Sequence, residues 1–206
     1  MYTQADGEFL VRTARKAIKK YIEENQILAI SNIPPNLRNK TGVFVTIRKQ
    51  DNHGDVLRGC IGHITSDVSL LEVTIDSAIH SATRDPRFPP VTSCELKTSI
   101  IEVTILTPLE LINVNKPSDY LNEIEIGRHG LLIEKDSHKG VLLPQVPIEW
   151  NWDSEEFLIQ LCRKAGLSTD SWCMNDTKIY RFSSKIYKEL SPNGDIFQES
   201  LKLLKE

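Results

Sequence analysis

The chain has 206 residues and lacks most of the patterns that assign a chemistry at sight. Its four cysteines, Cys60, Cys94, Cys162 and Cys173, form no Cys-x-x-Cys pair, and its five histidines never stand at His-x-x-x-His spacing. No metal site is therefore expected. There is no 18-residue apolar run, which excludes a membrane-spanning helix. A Gly-rich phosphate loop, tandem repeats and low-complexity segments are also missing. Basic residues are not in excess: 25 Lys and Arg face 28 Asp and Glu, the net charge is −3 and the pI about 6.0. That balance argues against an obligate nucleic-acid binder. The first residues show no charged region followed by an apolar one, so no secretory signal is expected. The reading is a cytoplasmic protein with free thiols.

What is present is ordinary globular material, 40% hydrophobic and 26% charged. The length fits one domain or two closely joined subdomains with a sizeable core. Residues 3–25 read as an amphipathic helix. Thr3 and Asp6 can form its capping box, and Phe9, Leu10, Ala14, Ala17, Ile18, Tyr21 and Ile22 line one face. Arg12, Arg15, Lys16, Lys19 and Lys20 fall on the other face, read as solvated. Residues 42–48 form a strand with Val43, Val45 and Ile47 on one side. After the turn at 51–55 a second strand follows, so 42–64 reads as a hairpin. A helix is expected over 67–83, capped by Asp67. Strands are expected at 98–106, 123–126, 131–134 and 178–182, with a hairpin turn at 127–130. Asp153 and Glu156 cap a helix running to Ala165, with Cys162 on its apolar face. The segment after Ser191 reads as a short terminal helix or a frayed end. Strand pairs joined by turns, with helices between and around them, give an α+β fold with a mainly antiparallel sheet flanked by helices.

One stretch draws the chemistry together: Val56-Leu57-Arg58-Gly59-Cys60-Ile61-Gly62-His63-Ile64. Glycines inside a strand mark a bulge or a close approach. Strict alternation puts Arg58, Cys60 and Gly62 on one face, with Leu57, Gly59, Ile61 and His63 on the other. Arg58 would then lie beside Cys60 and favour its thiolate. Residues 84–90, Arg-Asp-Pro-Arg-Phe-Pro-Pro, form a rigid extended loop that presents Asp85 and Arg87. Glu102 interrupts an apolar strand and needs a cationic partner, for which Arg58, Arg84 and Arg87 are the candidates. Pro144 and Pro147 hold Gln145 in a defined place.

Six motifs in order make the chain resemble the AMMECR family, named after a human contiguous-deletion syndrome. They are Gly42-Val43-Phe44-Val45-Thr46, Leu57-Arg58-Gly59-Cys60-Ile61-Gly62, Asp85-Pro86-Arg87-Phe88-Pro89-Pro90, Gly127-Arg128-x-Gly130-Leu131, Leu142-Leu143-Pro144-Gln145-Val146, and Phe157-Leu158 through Lys164-Ala165-Gly166-Leu167. The resemblance covers about residues 42–182. It implies two unequal subdomains with a cleft between them. The larger would hold both chain ends, the smaller would be inserted at roughly 65–100, and the Arg58–Gly62 motif would lie near the cleft. It also implies association with Memo-type and radical S-adenosylmethionine proteins. It supplies a site and no reaction. His63 and His129 stand where the family tends to have threonine and an acidic residue, so neither inherits a family role.

Two functions follow, and a third, nucleic-acid binding through the first helix, is disfavoured by the acidic balance. In the first, Cys60 is a nucleophile, Arg58 stabilises its thiolate, and Glu102 or Asp85 orients a base or substrate. The N–H groups around Gly59 and Gly62 would then receive an oxyanion. In the second, Arg58, Arg87 and Gln145 form a polar pocket for a small anion, and Cys60 is only a small residue in its wall.

Overall fold

The computed structural model of the chain describes residues 2–51 and 54–199. The elements follow in the order α1 (Gln4–Glu24), a 3-10 turn, β1 (Val43–Asp51), β2 (Gly54–His63), α2 (Leu70–Thr83), α3 (Ser93–Thr98), β3 (Ser99–Leu106), β4 (Glu110–Leu111), α4 (Tyr120–Glu123), β5 (Gly130–Lys135), β6 (His138–Leu142), α5 (Val146–Glu149), α6 (Ser154–Lys164), β7 (Lys178–Phe182), β8 (Ser184–Glu189) and β9 (Ile196–Glu199). They build two sheets, in the orders β2-β1-β3-β8-β9 and β4-β7-β5-β6. The fold is α+β with antiparallel sheets.

These strands and helices fall into two compact units. Among the described residues the first takes 2–51, 54–106 and 185–199, and the second takes 107–184. The segment 65–100, expected as the smaller insert, lies inside the first unit. The reason is packing: α2 and α1 together bury the apolar face of the first sheet. Val43, Val45 and Ile47 stand in register with Ile105, Val103 and Ile101. Leu10, Ala14 and Ile18 of α1 and Leu71, Ala78 and Ile79 of α2 close over them. Each large side chain buried this way contributes roughly 1.5–3 kcal/mol. The second unit packs α6 on its own sheet, with Phe157, Leu158, Leu161 and Cys162 against Leu131, Ile133 and Ile179.

Local signals explain where the elements start. Thr3 and Asp6 make the expected capping box on α1, which ends at Asn25 in the left-handed region. On α2 the cap is Ser69, boxed with Glu72, rather than Asp67. On α6 only half of the expected box forms. Asp153 accepts the Glu156 N–H at 2.8 Å, while the Glu156 carboxylate accepts from Gln160.

Three expectations are corrected. No strand forms at 123–126, because Tyr120–Glu123 takes a helical turn and buries Tyr120. The hairpin is therefore β5–β6, one turn later than expected, with Leu132 opposite Val141. The segment after Ser191 is a strand, β9, paired with β8, and Ile196 is buried. The remaining tail residues lie outside the described residues, as do Asn52 and His53 of the first hairpin turn.

Candidate functional site

β2 is an edge strand, and its pairing with β1 is interrupted at the arginine. Gly59 stands opposite Ile47 and Leu57 opposite Arg48, so Arg58 is the extra residue of a β-bulge. A bulge re-aims the side chain it carries and breaks strict alternation. Arg58 is thereby turned away from Cys60. Its guanidinium grips Glu95 of α3, with Nε 3.1 Å from Oε1 and Nη2 3.3 Å from Oε2. Arg58 holds the Glu95 carboxyl down at about 2. The expected Arg58–thiolate pair is therefore not formed.

The two glycines answer to the fold. A Cβ on Gly59 would lie 2.3 Å from the Ser81 carbonyl oxygen, so Gly59 is where α2 meets the sheet backbone. A Cβ on Gly62 would lie 2.2 Å from the Val43 carbonyl and 2.6 Å from the Phe44 ring, its partner across the pair. Both close approaches are made by the chain itself.

The Arg-Asp-Pro-Arg-Phe loop closes the free edge of β2. The Cys60 N–H donates to Asp85 Oδ2 at 2.9 Å. Arg87 donates to the same carboxylate from its backbone N–H, from Nε at 2.9 Å and from Nη2 at 2.7 Å. Arg87 Nη2 also reaches the Cys60 carbonyl at 3.4 Å. An exposed strand edge invites pairing with another chain, and here one carboxylate and one guanidinium occupy it. Asp85 is almost fully buried, and its carboxyl is lowered to about 2, chiefly by Arg87 against the opposing effect of burial. Phe88 sits between two cations, its ring centroid 5.8 Å from Arg58 Cζ and 5.4 Å from Arg87 Cζ.

Cys60 is half-buried and heads a polar row that crosses three strands: Cys60 opposite Thr46, and Thr46 opposite Glu102. Burial pushes the thiol pKa up. Thr46 Oγ1 donates to Sγ at 3.3 Å and works the other way, the Glu102 carboxylate adds to the rise, and Arg87 opposes it. The net direction is upward, so the thiol keeps its proton at neutral pH. Glu102 is 2% exposed and its partner is Arg48, at 3.0 Å, not Arg58, Arg84 or Arg87. Burial raises the Glu102 pKa despite that partner.

Cys60, Asp85, Arg87, Arg58 and Gly59 thus come together at one edge, and Glu102 reaches Cys60 through Thr46. Gln145 belongs to the second unit, just before α5, where its Oε1 is buried without a hydrogen bond among the described residues. Sequence reasoning missed Thr46, Arg48 and Glu95. The first two were legible, because the alternation that puts Val43, Val45 and Ile47 inward puts Phe44, Thr46 and Arg48 on the opposite face.

Neither departing histidine enters this edge. His63 faces Asp76 of α2 at 3.5 Å. His129 accepts the Glu125 N–H on Nδ1, and burial with Arg181 and Arg128 lowers its pKa. Among the described residues no three His, Cys, Asp or Glu gather to hold a metal, and no helix is long and apolar enough to cross a membrane.

The AMMECR1 family profile matches residues 11–187. Protein PH0010 of Pyrococcus horikoshii is 47% identical over 197 residues, 95% of this chain and 95% of that one. Protein MJ0810 of Methanocaldococcus jannaschii is 45% identical over 201 residues, 98% of each. A protein of Thermococcus onnurineus reaches 49% over 95% of this chain and 96% of its own. The crystal structure of uncharacterized protein PH0010 superimposes with a TM-score of 0.89 at 46% identity, covering 95% of this chain and 97% of that one. Motif order, relatives and fold agree, and the chain belongs to the AMMECR1 family.

Proposed function

We propose that the Cys60 edge is a binding surface for a small anionic group, and that Cys60 itself is a protonated thiol in its wall. The observation that carries this reading is the commitment of the groups a nucleophile would need. Arg58 is spent on Glu95, the Cys60 N–H is spent on Asp85, and the thiol pKa is raised. Arg87 is the handle: Asp85 fixes its orientation through Nε and Nη2, its side chain is 54% exposed, and its Nη1 makes no hydrogen bond among the described residues. A planar guanidinium held in this way suits a carboxylate or phosphate. Arg87 does favour the thiolate, which keeps a cysteine-dependent enzyme acting on a small anionic substrate as the second reading. The partners we propose are the Memo-type and radical S-adenosylmethionine enzymes of the family association, with this protein as their binding component.

Site-resolved iodoacetamide labelling across pH decides between the two. The binding reading expects Cys60 to label with a midpoint above the ~8.5 of a free thiol and more slowly than the exposed Cys94. Fast labelling of Cys60 alone near neutral pH, with a midpoint well below that value, would put the enzyme in its place.

A further inference from the structure

We propose that the groove between α1 and α3 binds an organic polyphosphate of nucleotide size. This site shares α3 with the Cys60 edge but is lined by other residues, and it does not depend on the reading of that edge.

The basic stripe of α1 divides on folding. Arg15 turns inward to a bidentate pair with Glu189, and also donates to the carbonyls of Leu96 and Ser99. Its charge is cancelled there, contrary to the expectation of a solvated face. Arg12 bonds the carbonyl oxygens of Asn193 and Gly194 at 3.0 and 2.8 Å, which are neutral partners that orient its charge without cancelling it. Lys16 and Lys19 of α1 and Lys97 of α3 are exposed, and none of the three makes an ion pair among the described residues.

These side chains surround a cavity of about 590 Å³ with the buried Leu96 in its lining. That volume lies in the range of small-molecule sites. Five cations line it against one carboxylate, Glu23. With Arg15 neutralised by Glu189, the local excess is three positive charges in a chain whose net charge is −3.

The arrangement selects the anion. Arg12 and Lys19 are seven residues apart, about 10 Å along the helix, which is longer than a single phosphate. Lys97 faces them from α3. The remaining volume and the apolar Leu96 leave room for an organic body. Glu8 and Glu23 bracket the cations at the two ends of the same helical stripe. A continuous nucleic-acid strand would run onto those carboxylates, whereas a short polyphosphate would end before them.

Calorimetric titration of the full chain with ATP, ADP and inorganic phosphate at about 50 mM salt tests this. Saturable binding of one ATP per chain is expected, weaker for ADP and weakest for phosphate. In Lys16→Glu/Lys19→Glu, and separately in Lys97→Glu, affinity should fall at least about tenfold with an unchanged melting temperature. Lys139→Glu, in the second unit, should bind as the parent does. Absence of saturable ATP binding overturns the proposal. So does equal binding by the charge-reversed variants, or binding of an RNA oligonucleotide without binding of ATP.

Discussion

The two units solve the same packing problem with different interiors. In the second, α6 covers a sheet with aliphatic and aromatic side chains, and the polar residues buried whole among those described are the neutral Ser171 and Thr177. In the first, Arg15, Asp85, Glu102 and Glu189 are all buried, and they are the only charged side chains so placed among the described residues. Taking a charge out of water costs several kcal/mol unless its partner and hydrogen bonds are well placed. The second unit shows that this chain can build a core without that cost. The charges of the first unit are therefore kept for arrangement rather than for net stability: Arg15–Glu189 ties α1 to β8, Glu102–Arg48 spans β3 and β1, and Asp85–Arg87 seals β2.

The comparison is broken most severely by removing one member of a buried pair. Glu189→Ala strands Arg15 with no carboxylate, and Glu189 also accepts the Ile101 N–H. The expected loss is about 4 kcal/mol, read by urea denaturation. Replacing both partners, as in Arg15→Met/Glu189→Leu, should recover much of it, because two apolar groups leave no orphaned charge. If the double variant is as unstable as the single, the pair supports net stability and the contrast between the units fails.

In the second unit the corresponding loss comes from volume alone. Leu161→Ala at a fully buried position should cost about 3 kcal/mol, and that loss should not change as pH falls from about 4 to about 2.

Asp85→Asn tests the edge of β2 and should cost about 2 kcal/mol. Its pH signature has a definite sign. The folded carboxyl sits at about 2, below the ordinary 3.8. The stability it contributes is full above the unfolded value and is lost as pH falls through the window from about 4 to about 2. The parent should lose stability across that window and Asp85→Asn should lose less. Identical acid profiles would remove Asp85 from the account.

Much of the fold was legible in the sequence because it rests on local periodicity and punctuation. The Thr3–Asp6 box, the inward row Val43, Val45 and Ile47, the run 99–106 and the α6 stripe each carry their own signal. What was not legible depends on pairing across long separations. Nothing local marks Ile196 as a strand residue, because it is the β8 register that makes it one. The bulge at Arg58 leaves the residue pattern of β2 unchanged while re-aiming its arginine, so the site residues were found and their partners were misassigned. Glu95, in a short helix absent from the sequence reading, takes the role expected of the thiol.

The smallest expected effects sharpen the comparison at Cys60, where a thiol in a charged unit can be set against Cys162 in the apolar one. Burial raises both thiols, and at Cys60 Thr46 and Arg87 oppose that rise while Glu102 and Asp85 add to it. Thr46 donates a hydrogen bond that favours the thiolate. Thr46→Val removes it and should move the labelling midpoint of Cys60 to higher pH. Glu102 places a carboxylate on the same row and disfavours the thiolate. Glu102→Gln removes that charge, leaves Arg48 beside the row, and should move the midpoint to lower pH. Each shift is below about one pH unit, the scale of a single exchanged interaction of ~1.4 kcal/mol. Cys162, fully buried, should stay unlabelled in both variants until the protein unfolds. Shifts of the same sign in both variants would mean that Cys60 responds to general loosening of β1 and β3, and the polar row would lose its claim to tune the thiol.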